Sequence, residues 1–173
     1  NGNVIAVIGD GSLSGGEALE GLDFASELGT NFIIIVNDNN MSIAENHGGL
    51  YKNLEQLRDS DGKCECNLFR SFNLDYRFVK NGNDIASVIS ALEEVKDIDH
   101  PVVVHIVTQK GKGYPVAEKN KENWHWCMPF DIETGKPKFT SDDEDYGTLT
   151  SDFLLEKMKK DPLVTTIAAA VPT

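Results

Sequence analysis

Two continuous apolar runs, each ending in a polar turn, constrain the fold of this 173-residue chain most. Residues 4–8 are followed by Gly-Asp-Gly at residues 9–11, and residues 32–36 are followed by Asn-Asp-Asn at residues 37–39. Uninterrupted runs of Val and Ile are typical of strands buried on both faces of a parallel sheet. Between them, residues 17–28 carry apolar side chains at helical spacing. Strand, helix and strand in this order predict a right-handed parallel crossover.

The two polar turns predict a ligand site. Ligands of open parallel α/β sheets lie beyond the carboxyl ends of the strands, and both turns fall there. Asp10 and Asn39 offer the hard oxygen ligands that suit Mg²⁺ or Ca²⁺. Gly9 and Gly11 let backbone N–H groups approach an anion closely. Either turn alone is a common loop sequence, but their joint placement across one crossover indicates a divalent ion that carries a diphosphate.

The two turns, with their spacing, resemble the thiamine diphosphate motif of the transketolase-like enzymes. Within that superfamily, residues 37–46, Lys-Gly-Lys-Gly-Tyr at 110–114 and the stretch 124–135 are most similar to the 1-deoxy-D-xylulose-5-phosphate synthase family. The resemblance covers essentially the whole chain. It implies an α/β fold: a three-layer domain with a mostly parallel sheet, part of the thiamine diphosphate-binding fold, with an appended helix and strand.

The resemblance also implies roles for particular residues at the predicted site. The implied contacts to thiamine diphosphate are Gly9, Asp10, Gly11, Ser12, Asn39, Met41 and Ile43. Asp10, Asn39 and the main-chain carbonyl of Met41 would ligate Mg²⁺. For Ile43, a packing role in the core is an alternative to a place in the wall beside the cofactor.

Three residues later in the chain have implied roles near the substrate or the phosphates. Lys110 and Lys112 follow the apolar run 102–107, and one of them would face the phosphates, although a solvated position is equally compatible with each. His125 matches a histidine that the family places near the substrate, and a packed structural role is its alternative. Trp126 stands where the family usually has glycine, which bears on the acceptor substrate.

Other residues and the overall charge bound the context. His105 lies inside an apolar run, so we expect a core histidine whose nitrogens are hydrogen-bonded. Cys64, Cys66 and Cys127 lack the spacing of a zinc site and are interpreted as free thiols. The net charge of −12 disfavours nucleic acid and anionic membranes as partners. The sequence shows no signal peptide and no apolar stretch near the ~20 residues that span a bilayer, which predicts a cytoplasmic protein.

The domain organisation is predicted from composition together with the resemblance. Residues 1–135 would form the diphosphate- and Mg²⁺-binding part of a domain, and residues 136–147 an acidic linker. Residues 148–173 would begin a pyrimidine-binding domain with a helix at 148–160 and a strand at 163–169. Family members are several times longer, so we expect a central piece of such an enzyme. Neither Glu17 nor Glu45 resembles the family's activating glutamate, which the resemblance places in the following domain, and we therefore expect no turnover by the chain alone.

The activity implied by the resemblance is a transferase reaction. Pyruvate and glyceraldehyde 3-phosphate would condense with loss of CO₂ in a homodimeric enzyme that supplies isoprenoid, thiamine and pyridoxal precursors. One alternative is another transketolase-like enzyme that shares the diphosphate motif. A second is a non-catalytic thiamine diphosphate-binding or regulatory paralogue. A third is a nucleotide-binding α/β domain, which is weakened because the Gly-Asp-Gly turn lacks a third glycine at Rossmann spacing.

Overall fold

The computed structural model describes residues 2–139 and 145–167. Within them, four strands form one sheet in which every neighbouring pair is parallel, so the predicted α/β fold with a mostly parallel sheet is confirmed. The strands are β1 (Val4–Gly9), β2 (Phe32–Asp38), β3 (Asp75–Val79) and β4 (Pro101–Val107). Their order across the sheet is β1-β2-β4-β3.

One or two helices separate each described strand from the next along the chain, and two further described helices follow β4. They are α1 (Asp10–Leu13), α2 (Gly16–Ala25), α3 (Gly49–Asp59), α4 (Leu68–Ser71), α5 (Ile85–Val95), α6 (Pro115–Lys119) and α7 (Tyr146–Lys160). The chain divides into two compact units, Asn1–Trp124 and His125–Thr173. The sheet and the first six helices belong to the first unit.

Apolar side chains cover both faces of the sheet in the first unit. On one face, α2, α3 and α4 pack their buried leucines and Phe69 against Ile34, Val36 and Val103. On the opposite face, α5 packs against alternate residues of the same strands, including Ile33. Successive side chains of a strand point to opposite faces, so one strand serves both cores. The result is the three-layer arrangement that the sequence predicted.

The expectation that β1 is buried on both faces is wrong. Val4, Ile5 and Val7 are largely exposed, with Val7 at 69%, whereas residues 101–105 of β4 are all buried. The cause is position, because β1 lies at the edge of the described sheet and pairs only with β2. In addition, the main strand contacts of α5 are with β3 and β4.

The second unit contains the helix predicted at residues 148–160. This helix, α7, starts two residues earlier, and the carboxylate of Asp145 caps it by accepting a hydrogen bond from the Thr148 N–H at 2.7 Å. The strand predicted at 163–169 is wrong for residues 163–167, which form a turn and irregular backbone. No described strand pairs with them, and an extended segment needs such a partner for its backbone groups. Residues 168–169, and residues 140–144 of the predicted linker, lie outside the described residues.

Candidate functional site

Parallel pairing brings the two polar turns together at the carboxyl edge of the sheet. Gly9 at the end of β1 is in register with Asn37 near the end of β2. The backbone N–H groups of Gly11, and of Asn39 and Met41 in the second turn, lie near enough to the Asp10 carboxyl to lower its pKa. The structure therefore brings together the three residues that the sequence predicted as metal ligands.

Asp10 is buried, with 1% of its surface exposed. Burial and the nearby negative charge of Asp38 raise the pKa of this carboxyl, and the backbone N–H donors only partly oppose the rise. Among the described cationic side chains, Lys110 is close enough for its charge to interact with that of Asp10, whereas Arg58 and His105 pair with Asp38. The pKa of Asp10 nevertheless stays raised, and a buried carboxylate in this condition favours a bound cation.

Asn46 holds the other side of the Asp10 carboxyl. Its Nδ2 donates to Asp10 Oδ2 at 2.9 Å, and Asn46 Oδ1 in turn accepts from the Ser42 hydroxyl at 2.8 Å. Asn46 belongs to the same motif as the candidate ligands, but its role was not predicted from the sequence. The signal available in the sequence was an amide within one loop of the Asn-Asp-Asn turn.

Gly11 makes the close approach of the two turns possible. A Cβ atom at this position would lie 2.1 Å from the Oγ of Ser42, far inside van der Waals contact. Gly9 and Ser12 flank this point: Gly9 ends β1, and Ser12 is exposed within α1. Ile43 is half-buried in the loop after the second turn.

The second turn is fixed by its own side chains. Asn40 has a positive φ of 61°, and its N–H donates to Asp38 Oδ1 at 3.0 Å. Asn39 Oδ1 accepts from the Met41 N–H at 3.1 Å. Both are Asx-type bonds, in which a side-chain oxygen stabilises a tight turn two residues on. They set the direction of the Asn39 side chain and of the Met41 main chain.

Asp38, unlike Asp10, has its charge balanced by protein groups. Its Oδ2 accepts from Arg58 Nη1 at 2.6 Å and from His105 Nε2 at 2.9 Å. Burial raises the pKa of Asp38, but the bonds from His105 and Arg58 outweigh burial and hold the pKa below its ordinary value. The carboxylate therefore stays ionised and acts only as an acceptor.

His105 is the hydrogen-bonded core histidine that the sequence predicted. Because ionised Asp38 only accepts, the proton on the imidazole lies on Nε2, and Nδ1 accepts from the Tyr76 hydroxyl at 2.7 Å. Burial, together with the Asp38 charge, raises the pKa of Tyr76, which keeps that hydroxyl protonated. The histidine thus anchors the second turn to β3 and β4.

The structure separates the two lysines that the sequence left as alternatives. Lys110 is partly buried, and its ammonium donates to the Ser42 carbonyl beside the first turn. Burial lowers the pKa of Lys110, against the opposing charges of Asp10 and Glu122. Lys112 instead lines another cleft, of about 510 Å³, with Lys80. The remaining candidate from the later part of the sequence, His125, is the first residue of the second unit.

These residues fit a hard divalent cation. The candidate ligands are one carboxylate, one amide oxygen and one main-chain carbonyl, all of the oxygen type that Mg²⁺ prefers. Within residues 2–139 and 145–167, no group of three or more His, Cys, Asp or Glu side chains is placed to hold a metal. Such a cluster would indicate a different kind of site, because the set proposed from sequence contains only one of these side chains.

Comparison with solved structures defines the class of fold. A transketolase mutant from Pichia stipitis superposes with a TM-score of 0.50 at 17% sequence identity, over 92% of this chain and 24% of the transketolase chain. Identity this low supports the fold alone. The parallel sheet with its polar carboxyl edge is thus of the transketolase type.

Sequence comparison then gives the family. The family model described as 1-deoxy-D-xylulose-5-phosphate synthase matches residues 1–67 and 61–108, which is more than half of the chain. The chain belongs to the 1-deoxy-D-xylulose-5-phosphate synthase family, as the sequence motifs indicated.

Individual relatives agree with the family assignment. Synthases of that name from Listeria monocytogenes and Lachnoclostridium phytofermentans are 39% and 35% identical, each over 98% of this chain. The one from Porphyromonas gingivalis is 34% identical over the same share. The chain spans 29% of the Listeria protein and 33% of the other two. It therefore corresponds to about a third of the length of these curated relatives.

The described residues also bear on the membrane prediction. No helix in residues 2–139 or 145–167 has the length and hydropathy to cross a bilayer.

Proposed function

We propose that this chain supplies the Mg²⁺- and diphosphate-binding part of a thiamine diphosphate-dependent synthase that condenses pyruvate with glyceraldehyde 3-phosphate and releases CO₂. The observation that carries the proposal is the Asp10 carboxyl, which is buried, has a pKa raised by burial and by the charge of Asp38, and lies against the turn of Asn39 and Met41. Membership of the synthase family supports the substrates.

The proposed ligands each come from a different local structure. Asp10 stands at the start of α1, the Asn39 side chain follows β2, and Met41 contributes its carbonyl from the loop beyond. Gly11 and Ser12 would donate backbone and hydroxyl hydrogen bonds to the diphosphate, with Gly9, also a proposed contact, at the end of β1. When bound, thiamine diphosphate supplies the nucleophilic carbon and the electron sink for decarboxylation.

Lys110 is the better candidate of the two lysines for the phosphates. Its ammonium lies against the loop that carries Ser42 and close enough to Asp10 for their charges to interact. A partly desolvated ammonium makes a strong point-charge contact with a phosphate oxygen. Ile43 would form an apolar wall of the cofactor site. We retain His125 as a candidate contact on the substrate side and Lys112 as a weaker phosphate candidate.

The remaining parts of the proposed function concern the whole enzyme. We propose a cytoplasmic homodimer that supplies isoprenoid, thiamine and pyridoxal precursors, with residues 148–173 belonging to the domain that binds the aminopyrimidine ring. The chemistry requires a carboxylate that hydrogen-bonds to that ring. Neither Glu17 nor Glu45 matches it by motif, so we expect the chain by itself to bind cofactor without turnover.

Calorimetric titration of thiamine diphosphate into the purified chain, with and without Mg²⁺, tests the proposal. We expect binding that depends on Mg²⁺ and is lost in Asp10→Ala, because that variant lacks the only carboxylate of the proposed ligand set. Asp61→Ala, which removes an exposed carboxyl paired with Lys80, is the matched control and should bind like the wild type. Binding that is independent of Mg²⁺, or equal in Asp10→Ala, would contradict the proposed site.

A further inference from the structure

A side chain outside the proposed ligand set holds the second turn in place. We propose that Arg58, on α3, is a positioning residue for the metal-binding turn at residues 38–41, and that it acts through Asp38 and Asn40. This inference rests on the proposed function, since it assigns the supporting residue of the same metal site.

The guanidinium of Arg58 contacts both ends of the bend in this turn. Its Nη1 donates to Asp38 Oδ2 at 2.6 Å, and its Nη2 donates to Asn40 Oδ1 at 3.1 Å. Only 17% of the Arg58 side chain is exposed, and Asp38 is fully buried. A planar guanidinium can bridge two acceptors with a fixed separation, which an ammonium cannot do.

The bridged bend is the part of the turn that needs support. Asn40 adopts a positive φ of 61°, a conformation that costs energy for a residue with a side chain. The Asn40 N–H donates to Asp38 Oδ1 within the bend, and the Arg58 guanidinium donates to the side chains of both residues. Asp38 and Asn40 lie on either side of the candidate ligand Asn39, so fixing them fixes the position of its side chain.

The same turn reaches the other half of the site. The backbone N–H groups of Asn39 and Met41 lie close to the carboxyl of Asp10 and favour its ionised form. A shift of the turn would therefore displace two proposed ligand oxygens and also move the N–H groups that lie beside the third. Residues that orient metal ligands typically change metal affinity by about 10- to 100-fold when they are replaced.

Charge adds a second reason for Arg58 at this position. Asp38 follows its strand as Asp10 does, and an unpaired carboxylate there would be a competing cation site. Pairing with Arg58 occupies Asp38 Oδ2 and balances its charge. The divalent ion is thereby directed to Asp10 rather than to Asp38.

The first measurement is Mn²⁺ affinity in the presence of thiamine diphosphate, read from the electron paramagnetic resonance signal of free Mn²⁺. Arg58→Met keeps the apolar stem, and we expect it to weaken Mn²⁺ binding by about tenfold or more. Arg58→Lys keeps the charge without the fork and should fall between Arg58→Met and the wild type. Arg70→Met, at an exposed position on α4, is the matched control and should leave the affinity unchanged.

A double-mutant cycle separates positioning from general loss of structure. Asn40→Gly removes the Oδ1 acceptor yet tolerates positive φ. If Arg58 acts in part through Asn40, Arg58→Met should reduce Mn²⁺ affinity by a smaller factor in the Asn40→Gly background than in the wild type. Equal factors in the two backgrounds, or less than a twofold effect of Arg58→Met, would overturn the inference.

Amide hydrogen exchange of the ligand-free chain tests the same inference without any cofactor. We expect Arg58→Met to speed exchange at Asn40 and Met41 while the amides of α5 keep their wild-type rates. Unchanged exchange at Asn40 and Met41 would overturn the positioning role. If the wild type fails to bind Mn²⁺ at all, the proposed function of the chain fails, and the exchange result alone decides for or against Arg58.

Discussion

Asp10 and Asp38 occupy equivalent places at the ends of neighbouring strands, yet the protein treats their charges in opposite ways. Both are buried, and each begins or belongs to a polar turn at the carboxyl edge of the sheet. Asp38 has Arg58 and His105 as partners and a lowered pKa, whereas Asp10 accepts from the Asn46 amide and has a raised pKa. A balanced carboxylate is a structural anchor, and an unbalanced one is suited to recruit an ion.

The largest effect on stability should come from removing the negative charge of Asp38 in the second turn. Asp38→Asn leaves the charge of Arg58 without its buried partner and weakens the acceptor for His105. Breaking one side of a buried charge pair costs about 3–5 kcal/mol, so we expect a fall of that size in the free energy of unfolding measured with urea. Asp61→Asn, which breaks an exposed pair with Lys80, should change it little. Equal losses in the two variants would show that Asp38 is not an anchor.

An intermediate effect should come from crowding the first turn. Gly11→Ala would place its Cβ against the Ser42 Oγ and force that hydroxyl away from Asn46. Overpacking of this kind costs about 1–3 kcal/mol, again measured as the free energy of unfolding. Gly9→Ala is the matched control, because a Cβ there meets no atom within 4 Å.

The crowding itself can be tested by relieving it. In a Ser42→Ala background the hydroxyl is absent, so Gly11→Ala should cost less than it does in the wild type. If the cost is unchanged, close contact between the two turns through this hydroxyl is not the reason for glycine at position 11.

The sequence predicted the parts of the fold and site that depend on short stretches. Continuous Val and Ile runs predicted parallel strands, and the two polar turns predicted where Asp10 and Asn39 meet, because parallel neighbours end at one edge. The exposure of β1 could not be predicted, since it depends on which strand lies at the edge of the sheet rather than on the composition of the strand.

The supporting residues were missed for a different reason. Arg58 lies 20 positions from Asp38, on a helix where an arginine is typical of a solvated surface. Its role depends on the packing of α3 beside the second turn, which no local pattern encodes. Asn46 was within the recognised motif, but its bond to Asp10 depends on the path of the loop back toward α1.

The smallest effect, a difference in pH dependence, addresses the two carboxyls directly. Burial and the charge of Asp38 raise the pKa of Asp10 above its ordinary 3.8. The folded chain therefore holds this proton more tightly than the unfolded chain does. The stability that results is complete below pH 3.8 and is lost as the pH rises through the raised pKa.

For Asp38 the direction is the opposite. Burial raises the pKa, but the bonds from His105 and Arg58 lower it by a larger amount, so the pKa lies below 3.8. Its contribution is present above pH 3.8 and is lost as the pH falls through the lowered pKa.

Urea unfolding of the metal-free chain at a series of pH values on both sides of 3.8 can separate these contributions. Asp10→Asn should remove the part of the decline in unfolding free energy that lies above pH 3.8 and should leave the decline below pH 3.8 in place. Wild-type and Asp10→Asn curves that run parallel across the whole range would contradict an unbalanced carboxyl at Asp10. Mg²⁺ with thiamine diphosphate should also abolish the decline in unfolding free energy above pH 3.8 in the wild type, because a bound cation favours the ionised form of Asp10. The same addition should leave Asp10→Asn unaffected, since the carboxylate that the cation would balance is absent.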